Sequence, residues 1–201
     1  MNSAGNREEW RRRVREHLVC SSELQRRTSQ VAAEAILDVT NLVVDCYRLG
    51  KKVLICGNGG SAADAQHMAA EFMNRLRGDF ERPGLPAIAL TTDTSFLTSY
   101  ANDIGYEGVF ARQVQALGQP DDALIAISTS GNSANVILAV HAAREKGIKT
   151  VGLCGEGGTL TTLVDQAVVV PSRDTQHVQE TLLTIEHIIC AAVEEILFPQ
   201  P

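Results

Sequence analysis

His67 and Glu71 stand four residues apart in the helical stretch that follows a GNGGS loop. At about 100° per residue the two side chains share one face, about 40° apart. One turn can then offer an imidazole and a carboxylate to one point, which suits a metal ion or acid–base chemistry. Gln179 and His187 lie in the last helical stretch, eight positions and roughly two turns apart along one side. His187 sits in the apolar run LLTIEHIICAAV, so burial is expected for it, while Glu186 beside it can equally be a solvated neighbour. His17, His141 and His177 show no partner pattern and read as surface histidines.

A second constellation is STSGNS, residues 128–133. It leaves an apolar strand and enters a helical stretch from Ala134 to Lys146. Ser128, Thr129, Ser130 and Ser133 offer four hydroxyls, and Gly131 lets the backbone turn sharply toward a ligand. The helix start adds free N–H groups and a positive dipole end, so a phosphate monoester fits. The loop has no Lys, which makes it a poor Walker-type site. Asn58, Gly59, Gly60 and Ser61 repeat the same logic at another strand end. GNGGSA is not the dinucleotide fingerprint, and no acidic residue ends the second strand to hold a ribose, so NAD is discounted.

The elements that must position these groups follow from the hydrophobic rhythm. Residues 7–49 read as helical throughout, with Trp10, Val14, Leu18 and Leu24 near one face of a first helix and Ile36, Val39, Val43, Cys46 and Tyr47 marking a second, which Gly50 stops. Beyond Gly50, short apolar runs alternate with helical patterns. The runs are Val53 to Cys56, Ala87 to Leu90, Ala123 to Ser128, Thr150 to Cys154 and Ala167 to Val170. A last helix is expected from about Thr175 to Leu197. This predicts a three-layer α/β sandwich with a five-stranded parallel sheet, flavodoxin-like, behind a helical N-terminal lead. The expected organisation is one domain over 1–201, with the lead at 1–49 and the α/β core at 50–201. Ligands of such sheets bind beyond the carboxyl ends of the strands, where GNGGSAAD, STSGNSAN and CGEGG all fall.

Composition narrows the classes further. The 201 residues carry 18 basic and 24 acidic side chains, a net charge of −6. With five Phe, three Tyr and one Trp, neither a basic footprint nor a base-stacking platform is present, so no nucleic-acid partner is expected. The run Arg11, Arg12, Arg13 reads as a solvated helix face, with Glu8, Glu9 and Glu16 nearby. No apolar run reaches the about 18 residues of a membrane helix, so no membrane partner is expected. The N-terminus lacks an apolar signal core, and four of five cysteines lie in apolar surroundings. A cytoplasmic location with reduced, buried thiols is the expectation.

The stretches CGNGGSAADAQHMAAEF, RPGLPAIAL, SYANDIGYEGVFARQV, ISTSGNSANVILAVHAAREKG and VQETLLTIEH resemble the phosphoheptose isomerase family, built on the sugar-isomerase (SIS) domain. The resemblance covers nearly the whole chain and is weakest in the N-terminal 30 residues or so. It implies a homotetramer with sites at subunit contacts, and an aldose–ketose isomerase acting on sedoheptulose 7-phosphate. It implies that Ser128, Thr129, Ser130 and Ser133 hold the phosphate, and that Asn58, Gly59, Gly60, Asn102 and Asp103 line the sugar site. It implies one zinc per subunit on His67, Glu71, Gln179 and His187, with Glu71 as base and His187 as acid, His187 serving a neighbouring chain's Glu71. Arg75 matches another active-site position. The chain departs from the family just before Gln179, where Gln176 stands in place of an acidic residue and Asp174 lies two positions earlier, and in the histidine content around Phe96.

Two other readings compete. Some SIS-domain relatives bind the bacterial replication initiator without catalysis; the intact Glu71 and STSGNS favour an enzyme. An isomerase for another sugar phosphate fits the same motifs, because chain length is read by pocket shape.

Overall fold

The computed structural model describes residues 4–78 and 81–199. The helical lead divides into the two expected helices, α1 (Ala4–Val31) and α2 (Ala33–Arg48), with a bend at Ala32 between them. The five apolar runs form β1 (Val53–Cys56), β2 (Ala87–Ala89), β3 (Ala123–Ser128), β4 (Lys149–Gly155) and β5 (Gln166–Val170). Between them lie α3 (Gly60–Met73), α4 (Thr94–Asp103), a 3-10 turn at Tyr106–Gly108, α5 (Val109–Leu117), α6 (Ala134–Glu145) and the short α7 (Leu160–Leu163). The chain closes with α8 (Thr175–Leu197).

All pairings are parallel, in the order β2-β1-β3-β4-β5. Parallel strands need covering on both faces, and the alternation of side chains shows how. Val53 and Ile55 of β1 join Val39, Val43, Met68, Phe72, Leu182 and Ile189, from α2, α3 and α8. Leu54 and Cys56 point the other way, to Phe110, Val114, Val136 and Val140, from α5 and α6. Two cores thus sandwich one sheet. The strand order reverses between β1 and β3, so the loops after these strands flank the crevice in which such sheets receive ligands.

The arginine run is a solvated face. Arg12 pairs with Glu9 at 2.9 Å and Glu16 at 2.6 Å, and Arg13 with Glu9 at 2.8 Å, all exposed. Trp10, Val14 and Leu18 stay exposed on α1, and only Leu24 of that predicted face is buried. Cys46, Cys56, Cys154 and Cys190 are buried free thiols, and Cys20 is exposed. No described helix is long and apolar enough to cross a membrane.

Candidate active site

The STSGNS loop makes a tight turn between β3 and α6. Gly131 has φ +65, and a Cβ there would come within 2.9 Å of the Gly158 backbone, so glycine lets the loop turn and pack at once. Ser128 Oγ lies 3.0 Å from Ser133 Oγ and 3.5 Å from Ser130 Oγ. Ser133 precedes α6 without capping it, which leaves that helix start with no side-chain acceptor. An anion is the complement of such an uncapped, positively polarised end. The β4–α7 loop supports the cradle from behind: Asn132 Oδ1 accepts from Thr159 N at 2.9 Å, and Gly131 O from Leu160 N at 2.9 Å. A cleft of about 260 Å3 opens here, lined by Thr129, Ser130, Asn132, Glu156, Arg173 and Thr175 among others. Arg173, in the β5–α8 connection, supplies the cation that the loop itself lacks and that the sequence reading missed.

Across the crevice, Asn58 is held by three bonds. Its Nδ2 donates to Asn135 Oδ1 at 2.8 Å, while its Oδ1 accepts from Asn135 Nδ2 at 2.9 Å and from Tyr106 Oη at 3.1 Å. This reciprocal amide pair ties the β1–α3 loop to the first turn of α6, beside the cradle. Gly59, with φ +55, makes the turn into α3, and Gly60 opens that helix. Asn102 and Asp103 sit at the exposed end of α4, where Asn102 Nδ2 donates to Asp103 Oδ1 at 2.9 Å. Arg75 is exposed beyond the end of α3.

The helical spacing of His67 and Glu71 gives the expected shared face, and α8 adds His187 to it. His67 Nε2 lies 2.9 Å from Glu71 Oε1, His187 Nε2 lies 3.3 Å from the same oxygen, and the two imidazole nitrogens are 3.0 Å apart. The three atoms form a near-equilateral triangle within one chain. A tetrahedral metal with ligand distances of about 2.1 Å would place its ligands about 3.4 Å apart. The triangle therefore matches one face of such a site. Glu71 Oε2 is buried with no hydrogen-bond partner among the described residues, so this carboxylate retains an unused acceptor.

Four expectations need correction. His187 was expected from a neighbouring chain, but its own chain places it beside Glu71. Gln179 does not join the triangle: its Nε2 donates to Asp64 Oδ2, and its Oε1 accepts from Ser61 Oγ at 3.2 Å. The reason is helical rise, since eight residues carry Gln179 about 12 Å from His187 along α8. The burial of neighbours is reversed as well. The His187 side chain is 43% exposed, whereas Glu186 is fully buried with both oxygens unpartnered among the described residues. Burial foremost, then Asp64 and Glu71, pushes the Glu186 carboxyl up to about 9. Lastly, His17 and His177 are not isolated, because both meet Glu180. Asp174, near the departure from the family pattern, caps α8 by accepting from the backbone of Gln176 and His177.

Arg82 is a positioning group that no spacing in the sequence announces. Its guanidinium donates to the carbonyls of Glu71 at 2.8 Å and Phe72 at 2.7 Å, at the end of α3. It also pairs with Glu194 of α8 at 2.7 Å, both side chains being almost fully buried. That clamp fixes the helix bearing Glu71 against the helix bearing His187.

Comparison with known proteins follows the same lines. A family model described as SIS domain matches residues 19–155. The chain is 54% identical over 188 residues to a phosphoheptose isomerase of Roseiflexus sp. (strain RS-1), covering 93% of this chain and 94% of that protein. It is 51% identical over 186 residues to a phosphoheptose isomerase of Aneurinibacillus thermoaerophilus, covering 92% and 89%. The solved structure of phosphoheptose isomerase GmhA from Neisseria gonorrhoeae aligns with a TM-score of 0.86 at 40% identity, over 92% of this chain and 99% of that one.

Proposed function

The chain belongs to the phosphoheptose isomerase family of SIS-domain proteins and is a sugar-phosphate isomerase; from that premise we propose that it converts sedoheptulose 7-phosphate to D-glycero-D-manno-heptose 7-phosphate. The observation that carries the chemistry is the contact of Glu71 Oε1 with His187 Nε2 at 3.3 Å, with Glu71 Oε2 left unpartnered. An aldose–ketose isomerisation needs a base for a C–H proton and an acid for the neighbouring oxygen, and these two side chains are such a pair. Glu71 takes a proton from C1 of the ketose, leaving an enediol. His187 protonates the C2 oxygen and takes the proton from the C1 hydroxyl as the carbonyl forms there. Glu71 then delivers its proton to C2. Substituting Glu71 by Gln tests this role against sugar-phosphate binding.

The cradle supplies remote binding. Ser128, Thr129, Ser130 and Ser133, with the open start of α6 and Arg173 beside them, hold the phosphate, while Asn58, Gly59, Gly60, Asn102 and Asp103 line the approach of the sugar. Binding at the unreactive end positions the reactive one. Zinc is the proposed cofactor, which His67 Nε2, Glu71 Oε1 and His187 Nε2 would hold, their separations fitting it, leaving Glu71 Oε2 and His187 Nδ1–H to move the protons. When bound it supplies Lewis-acid polarisation of the sugar oxygens.

The assembly is proposed to be a homotetramer that completes the site. Glu71 lies eleven positions along α3 from Gly60, about 16 Å from the sheet edge. The cradle sits at that edge, so cradle and carboxylate of one chain are far apart. A site drawing on two chains brings them together, and the exposed Trp10, Val14 and Leu18 give α1 an apolar stripe with which to associate. A cytoplasmic location accords with five free thiols.

A further inference from the structure

Two histidines that sequence spacing left as unrelated surface residues converge on one carboxylate, apart from the His67–Glu71–His187 triangle. His17 lies mid-way along α1, and His177 and Glu180 lie one turn apart near the start of α8. His17 Nε2 is 2.7 Å from Glu180 Oε1, and His177 Nδ1 is 3.3 Å from Glu180 Oε2. The imidazole rings sit 4.3 Å apart, centre to centre. A ligand atom from each of the three residues lies within 4.8 Å of the other two. We propose that His17, His177 and Glu180 form a second site for a divalent transition cation of the zinc type, pinning α1 to α8.

The donor chemistry is specific. Two imidazoles and one carboxylate make a set that zinc accepts, with a water in the remaining position. The two imidazole nitrogens approach different oxygens of the carboxylate, at 2.7 and 3.3 Å, and with one atom from each residue within 4.8 Å of the others, side-chain rotation brings them to the about 3.4 Å between ligands of a tetrahedral ion. The His17 and Glu180 side chains are each 40% exposed and that of His177 is 16% exposed, so a cation can enter from solvent and still be gripped. The position also gives a metal something to do. Residues 6–16 of α1 are almost all exposed, whereas Leu24 and Thr28 further along are buried. A cation at His17 extends that anchorage by two turns toward the N-terminus.

The full-length chain, stripped of metal and titrated with zinc at micromolar concentration, tests the proposal by calorimetry. Wild type is expected to bind one zinc per chain more than His17→Gln, a variant that can still hydrogen-bond Glu180 and so preserve the fold. Glu180→Gln should lose the same equivalent. In a His67→Ala background, which breaks the other triangle, zinc should still raise the thermal midpoint, and adding His17→Gln should remove that rise. Equal stoichiometry in wild type and His17→Gln, or a zinc-induced rise that persists in the double variant, would overturn it, whatever happens at His67.

Discussion

His187 Nε2 lies 3.3 Å from Glu71 Oε1 of the same chain, across 116 positions of sequence. Nothing local joins these residues. Two parallel-running helices, α3 and α8, pack side by side on one face of the sheet and deliver an imidazole and a carboxylate to one point.

Glu71→Gln keeps the shape and removes the base. Turnover is expected to fall by at least about 100-fold, the usual contribution of a general base. Binding of the sugar phosphate, read by calorimetry, should stay within a few-fold of wild type. Turnover near the wild-type rate would remove Glu71 from the role.

Ser128→Ala removes a nearly buried hydroxyl from the cradle. A hydrogen bond to a charged group contributes about 1.5–3 kcal/mol, so kcat/KM should fall by about tenfold or more. Circular dichroism should be unchanged. An unaltered kcat/KM would move the phosphate elsewhere.

Arg82→Met leaves Glu194 buried without its cation and frees the carbonyls at the end of α3. Breaking a buried pair this way costs about 3–5 kcal/mol. The midpoint of urea unfolding should drop accordingly, and a shift of less than about 1 kcal/mol would show that the clamp is dispensable.

Burial pushes the Cys46 and Cys56 thiols up to about 12 and Cys154 up to about 11, and raises Cys190 as well. A raised thiol pKa means less thiolate, so at pH 8 only about one in 10,000 Cys56 side chains would be ionised. A thiol reagent should therefore modify one cysteine per native chain, Cys20, and all five after unfolding. Raising the native protein to pH 9 should leave the four buried thiols unmodified, and labelling of Cys56 in the folded chain would contradict the packing of β1.

The sequence made some of this legible because the signal was local. The four-residue apolar run Val53–Cys56 could only be a buried strand, and it is one over the same residues. The spacing of His67 and Glu71 fixed a shared face, since helical geometry needs no tertiary information. The placement of His187 beside Glu71 was beyond composition, because hydrophobicity does not say which way adjacent helical positions face. Glu186 and His187 differ by about 100° in direction, and the structure buries the glutamate and exposes the histidine. Gln179 was grouped with the triangle by family resemblance, but two helical turns place it at Asp64 and Ser61 instead. His17 and His177 are 160 positions apart, so their meeting at Glu180 is a property of the α1–α8 contact alone.

The most direct test is to incubate purified chain with sedoheptulose 7-phosphate in deuterated buffer and follow the sugar by NMR, after chelation and again with zinc restored. The account predicts an aldoheptose 7-phosphate carrying solvent deuterium at C2, with turnover lost on chelation and regained with zinc. A folded, oligomeric protein that forms no such product in either metal state would contradict it.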